Sequence, residues 1–128
     1  MNLTPDELFF FNEHRNALTL YVPLRAQLLA AGESVRVEVK KTQISFFTRR
    51  MFACVSFLPV RRTKERPQTF VTLTLGLSAR LDSPRVDASS QPRPGRWTHH
   101  ILLSREEELD EELRGWIHAS AAFADSKR

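Results

Sequence analysis

The stretch from Gly95 to Phe123 constrains the fold more than any other, because it runs a strand directly into a helix. From Arg96 to Leu103 the residues alternate with the period of two that marks a half-buried strand. Ser104 and Glu107 then make an S-x-x-E pattern, in which each side chain accepts a hydrogen bond from an unpaired amide at a helix start. Glu106, Glu107, Glu108 and Asp110 place negative charge at the positive end of the helix dipole. Behind them Leu109, Leu113, Trp116, Ser120 and Phe123 recur at helical spacing, which predicts one buried face. The same stretch carries both tryptophans and three of the four histidines.

Upstream, Thr4 as N-cap, Pro5 at the first helical position and the acidic pair Asp6 and Glu7 announce a short helix. A longer helix is expected to about Ala31, with Ala17, Tyr21, Leu24, Leu28 and Ala31 on one stripe and Pro23 interrupting its hydrogen bonds. Gly32 is placed to end that helix in a left-handed conformation. The pattern then switches. Val35, Val37 and Val39 alternate with Arg36, Glu38 and Lys40, and Ile44 to Thr48, Met51 to Leu58 and Gln68 to Ser78 read as three further strands. The segment Ala79 to Pro94, rich in Ser, Pro and Arg, reads as a long loop.

Two helices, five strands and a final helix predict a single α+β domain over residues 1–128. The expected form is an antiparallel five-stranded meander sheet with the helices, two N-terminal and one C-terminal, packed on one face. At 128 residues the chain is long enough for one sizeable core. The net charge of +4 permits an anionic partner without requiring one. The single cysteine precludes an internal disulfide and fits a reducing compartment, so the cytoplasm is expected. The N-terminus lacks the pattern of a signal peptide, and no apolar run is long enough to span a membrane.

Alternation assigns the sheet faces. If Val35, Val37 and Val39 face the helices, then Arg36, Glu38, Thr72, Thr74, Thr98 and His100 lie on the open face, together with Phe47. On the third strand both residue sets are mostly apolar. An apolar strip among these polar groups predicts a ligand groove, a homodimer interface or cover from a terminal segment. His99 and His100 point to opposite faces and cannot readily share a metal, so no metal or other cofactor is expected. His100 is the candidate acid or base, with Glu38 as its companion, whereas His99 reads as a hydrogen-bonded core residue. Cys54 reads as an inert core thiol. Glu38-Val39-Lys40 matches the E-x-K element of metal-dependent nucleases, but no aspartate stands beside that strand to share a magnesium ion. Arg61, Arg62, Lys64 and Arg66 cluster in one connection. Arg49, Arg50, Arg80, Arg85, Arg93 and Arg96 gather at the other end of the sheet, where less acidic charge competes.

Three separated motifs carry a resemblance over nearly the whole chain. They are Lys41-Thr42-Gln43-Ile44-Ser45-Phe46, Arg50-x-Phe52-Ala53 and Gly95-Arg96-Trp97-Thr98-His99-His100. With the ending from Leu103-Ser104 to Trp116-Ile117, they make the chain similar to a bacterial family, the domain of unknown function 5655. The resemblance implies an accessory or binding role and brings no established catalytic residues. The matching polar positions Lys41, Gln43, Ser45, Arg50, Trp97, Thr98 and His100 become the expected ligand-binding set. The functional expectation is thus a small binding or interaction module for an anionic or phosphate-bearing ligand. The alternatives are a hydrolase-like enzyme using His100 and a nucleic-acid-binding accessory domain. Whether the chain is an enzyme is left open.

Overall fold

The computed structural model describes residues 2–126, which form three α-helices and one antiparallel sheet. Helix α1 (Pro5–Phe10) starts as the sequence predicts: the Glu7 amide donates to Thr4 Oγ1, and the Thr4 amide donates to the Glu7 carboxylate. A 3₁₀ turn over Arg15–Ala17 leads into α2 (Leu18–Leu29), which contains Pro23 and buries Leu20, Tyr21, Leu24 and Leu28. Gly32 does not supply the expected left-handed cap. Gly95 alone among the described residues has positive φ, at 79°. A Cβ on Gly32 would instead lie 3.0 Å from the Thr48 methyl, so the glycine permits close packing there.

Four strands follow: β1 (Arg36–Val39), β2 (Gln43–Phe47), β3 (Met51–Ser56) and β4 (Val71–Leu77). Two more, β5 (Ala88–Arg93) and β6 (Arg96–Leu103), form a hairpin closed by Pro94 and Gly95. The sheet therefore has six strands, not five, in the order β1-β2-β3-β4-β6-β5. The meander breaks at its end, because β6 pairs with β4 and displaces β5 to the edge. β5 reads Ala-Ser-Ser-Gln-Pro-Arg and is almost wholly exposed. It buries no apolar set and so gives no alternation, and its proline is tolerated because an edge strand needs fewer ladder donors.

The earlier part of the supposed loop is also structural. The Leu81 amide donates to His99 Nε2 at 2.9 Å, fixing a fully buried core histidine. The Asp87 carboxylate accepts from Arg61 Nε and from the Leu102 amide, each at 2.7 Å. Arg85 bonds Asp110, Glu112 and the Glu108 carbonyl, and its guanidinium lies 5.5 Å from the Trp116 ring centre.

The strand does not run straight into the last helix. A 3₁₀ turn over Glu106–Glu108 intervenes before α3 (Glu111–Ser126). Glu108, not Glu107, takes up the Ser104 and Arg105 amides, and Asp110 accepts from the Leu113 amide to cap α3. The buried stripe of α3 is accordingly Leu113, Ile117, Ser120, Ala121 and Ala124, with Trp116 only half-buried. These residues join those of α2 and the sheet residues Ile44, Phe46, Val55, Leu73, Leu75, Ile101 and Leu103 in one core.

A bulge disturbs the sheet where β2 meets β3: Phe46 pairs with Ala53, but Phe47 pairs with Met51, leaving Phe52 extra. The β3–β4 ladder stops beside it, at Ala53 opposite Leu75. The Ser120 hydroxyl of α3 fills the gap. It lies 2.6 Å from the Phe52 carbonyl and 2.9 Å from the Gly76 carbonyl, and it accepts from the Gly76 amide at 3.0 Å.

Candidate functional site: a groove across the second sheet face

Cross-strand pairing places Glu38, Ser45, Cys54, Thr74, His100 and Ala88 in one row across all six strands. Directly opposed residues share a face, so this row belongs to the side opposite Ile44, Val55, Leu73 and Ile101. A groove of about 1040 Å³ opens there. Thr74, Thr98, His100, Cys54 and Ser56 form its floor, and Arg96, Gln43 and Lys41 border it. Its far wall comes from Asp6, Phe9 and Phe10 of α1 and from Asn12 to His14, completed by Phe57 and Leu58 beyond β3.

That wall is aromatic. Phe10 stacks on Phe57 with ring centres 5.4 Å apart, and His14 lies 4.1 Å from Phe57 on centres. Phe9 points away from protein and is 79% exposed. The wall is held from behind by a buried polar cluster. Glu7, with no exposed surface, accepts from the Tyr21 hydroxyl and from Arg25 Nε at 2.7 Å. Burial alone would raise the Glu7 pKa, but the bonds from Arg25, the Thr4 amide and Tyr21 outweigh it and hold the carboxyl below its ordinary value. Burial, and then the bond to Glu7, push the Tyr21 phenol far above its own.

On the floor, Thr74 Oγ1 lies 2.9 Å from His100 Nδ1. Burial lowers the His100 pKa, so the imidazole is neutral near pH 7. Thr74 thus occupies Nδ1, and Nε2 has no protein partner among the described residues. Burial likewise raises the Cys54 thiol, offset in part by Thr74. Arg96 lies across Gly76: a Cβ there would meet its guanidinium at 3.1 Å. Arg96 is half-buried and forms no ion pair among the described residues.

Of the residues singled out from sequence, Lys41, Gln43, Thr98 and His100 reach this groove. Ser45 is buried beneath it, its hydroxyl accepting from Gln43 Nε2 at 2.8 Å. Trp97 belongs to the other face, in register with Leu77, and Arg50 lies exposed in the β2–β3 turn. Glu38 and His100 share a row but stand on β1 and β6, four strand spacings or about 19 Å apart, too far for a hydrogen bond. Glu38 is occupied by Arg36 at 3.1 Å and Lys40 at 3.4 Å. Among the arginines, Arg61 and Arg85 are paired with carboxylates, and the Arg49 amide donates to Asp125. Arg96 as a groove residue was legible by alternation from Thr98, whereas the α1 wall had no signal in the sequence. Among the described residues no cluster of His, Cys, Asp and Glu suits a metal ion.

A sheet with one face in the core and a groove on the other defines a small α+β domain. No helix among the described residues is long and apolar enough to cross a membrane. The chain belongs to the family described as domain of unknown function DUF5655, which matches residues 8–124. No curated protein and no solved structure matches it.

Proposed function

We propose that this domain is a binding module for a small ligand with a phosphate or carboxylate group and a flat apolar body. In this reading α2 and α3 back the sheet, α1 stands at the groove rim, and the anion sits at the Arg96 end. The observation that carries the reading is the Arg96 guanidinium, partly withdrawn from water, without an ion-pair partner among the described residues and lying beside Thr98. A guanidinium offers a rigid fork of donors matched to an oxyanion. Thr98 and the unpartnered Nε2 of His100 add neutral polar groups on the same floor. Asp6 borders the opposite wall and disfavours an anion there. The ligand body then lies against exposed Phe9 and the half-buried Phe10 and Phe57, where aromatic contact gives affinity.

The test is calorimetric titration with a panel of aromatic phosphates and aromatic carboxylates against the native chain and Arg96→Gln. At least one compound should bind the native chain and lose about tenfold or more in affinity with the substitution, the worth of a charge-assisted hydrogen bond. If no compound distinguishes the two proteins, the reading fails. A second reading, assembly of two copies through this face, is favoured by Phe9, Met51 and Leu58, exposed apolar residues that all border the groove. Sedimentation equilibrium separates the two, since assembly predicts a dimer that Phe9→Ser dissolves.

A further inference from the structure

Behind the partition formed by His14 and Phe57 lies a second cleft, of about 590 Å³. It shares Asn12, Glu13, His14 and Phe57 with the main groove, but its remaining lining is polar or basic apart from Ala17 and Phe70. Arg66 and Arg15 both border it, with Asn16, Gln68 and Thr69. Arg66 is half-buried, and its Nη2 donates to Thr63 Oγ1 at 2.6 Å, which pins the guanidinium to the 3₁₀ turn over Thr63–Glu65. Its Nε is buried and has no hydrogen-bond partner. Neither Arg66 nor Arg15 forms an ion pair among the described residues, although Glu13 borders the same cleft.

A guanidinium partly stripped of water and lacking a counter-ion is costly to keep, and a buried donor without an acceptor adds to the cost. A solvated charged rim explains exposed Arg15 alone. It does not explain why Arg66 is drawn inward and fixed by Thr63 when a fully exposed rotamer would be better hydrated. An oxyanion in the cleft would neutralise the Arg66 charge, with Arg15 as a second cation and the Asn16, Gln68 and Thr69 side chains as neutral donors.

We infer that this second cleft is an oxyanion subsite, built on Arg66 and distinct from the groove at Arg96, that takes a phosphate group. The site stands on its own lining residues and does not depend on the main groove having a ligand.

The experiment is a titration of the isotope-labelled full chain with inorganic phosphate, followed by amide shifts at constant ionic strength. Saturable shifts are expected at Asn16, Thr63, Arg66, Gln68 and Thr69. They should weaken about tenfold or vanish in Arg66→Gln, as expected for loss of a charge-assisted contact. Arg96→Gln, which alters only the main groove, should leave them unchanged. Unshifted spectra elsewhere in Arg66→Gln establish that the variant is folded; if it is not, Arg15→Gln provides the same comparison through an exposed side chain. Shifts that never saturate, that spread evenly over all basic segments, or that survive Arg66→Gln or its Arg15→Gln substitute would overturn the assignment. Saturable shifts lost in Arg96→Gln would overturn it equally, by placing phosphate in the groove instead.

Discussion

Replacing Glu7 by Gln removes the charge at the centre of the cluster that joins α1 to α2. The side chain of Arg25 is 11% exposed and that of Glu7 fully buried, so the substitution leaves Arg25 as a nearly dehydrated cation without its partner. Breaking a buried pair from one side costs about 3–5 kcal/mol, and the residual access of Arg25 to water argues for the lower figure, about 3. For a chain of this length that corresponds to a fall in Tm of about 10–15 °C. Urea unfolding at pH 7, followed by circular dichroism, measures the loss directly. The cycle with Arg25→Met tests its cause: Arg25→Met removes the stranded charge, so Glu7→Gln/Arg25→Met should be more stable than Glu7→Gln alone. The pH dependence has a fixed sign. Because the folded carboxyl lies below its ordinary value of 4.5, the Glu7 contribution is fully present above about pH 4.5 and is lost as pH falls through the depressed folded value. Glu7→Gln should therefore lose less stability than the native chain on acidification through that window. A cost under about 1 kcal/mol, or additive effects in the cycle, would refute the account of a buried, interdependent cluster.

Two further outcomes follow from the packing. Ser120→Ala deletes the hydroxyl that serves two carbonyls and one amide at the end of the β3–β4 ladder, and should cost about 1–3 kcal/mol in urea unfolding. Amide exchange at Gly76 should rise in the same variant. Cys54 is 7% exposed at the groove floor with its thiol pKa raised by burial, so a disulfide-exchange reagent at pH 8 should modify it more slowly than the unfolded chain's thiol, by about tenfold or more. Rapid modification of the folded chain would contradict this.

The residues that announced themselves in sequence were those whose burial is periodic. Val71 to Leu77 and Arg96 to Leu103 alternate because one side of each strand enters the core, and Thr4 with Glu7 forms a cap through contacts three residues apart. β5 was silent because an edge strand held by β6 buries little of its own and is specified by its partner. The acidic run after Ser104 hid its own geometry: Glu106, Glu107 and Glu108 are chemically equivalent caps, and only the 3₁₀ turn selects Glu108. The bulge at Phe52 obscured the faces of β3, where apolar residues on both sides were legible but their cause was not. Thr98 and His100 could be placed on one face by counting. The wall opposite them could not, since it depends on Glu7 reaching Tyr21 and Arg25 across the intervening turn.

The Ser120 contact has a mechanical corollary. A hydroxyl that completes the strand ladder makes α3 a cross-tie of the sheet, so lifting that helix away would expose the Phe52 and Gly76 peptide groups at once. Helix α1 carries no such tie to a strand backbone; its anchor is the carboxylate of Glu7, gripped by two side chains of α2. Displacing α1 would therefore break side-chain bonds to α2, whereas displacing α3 would open the strand ladder itself.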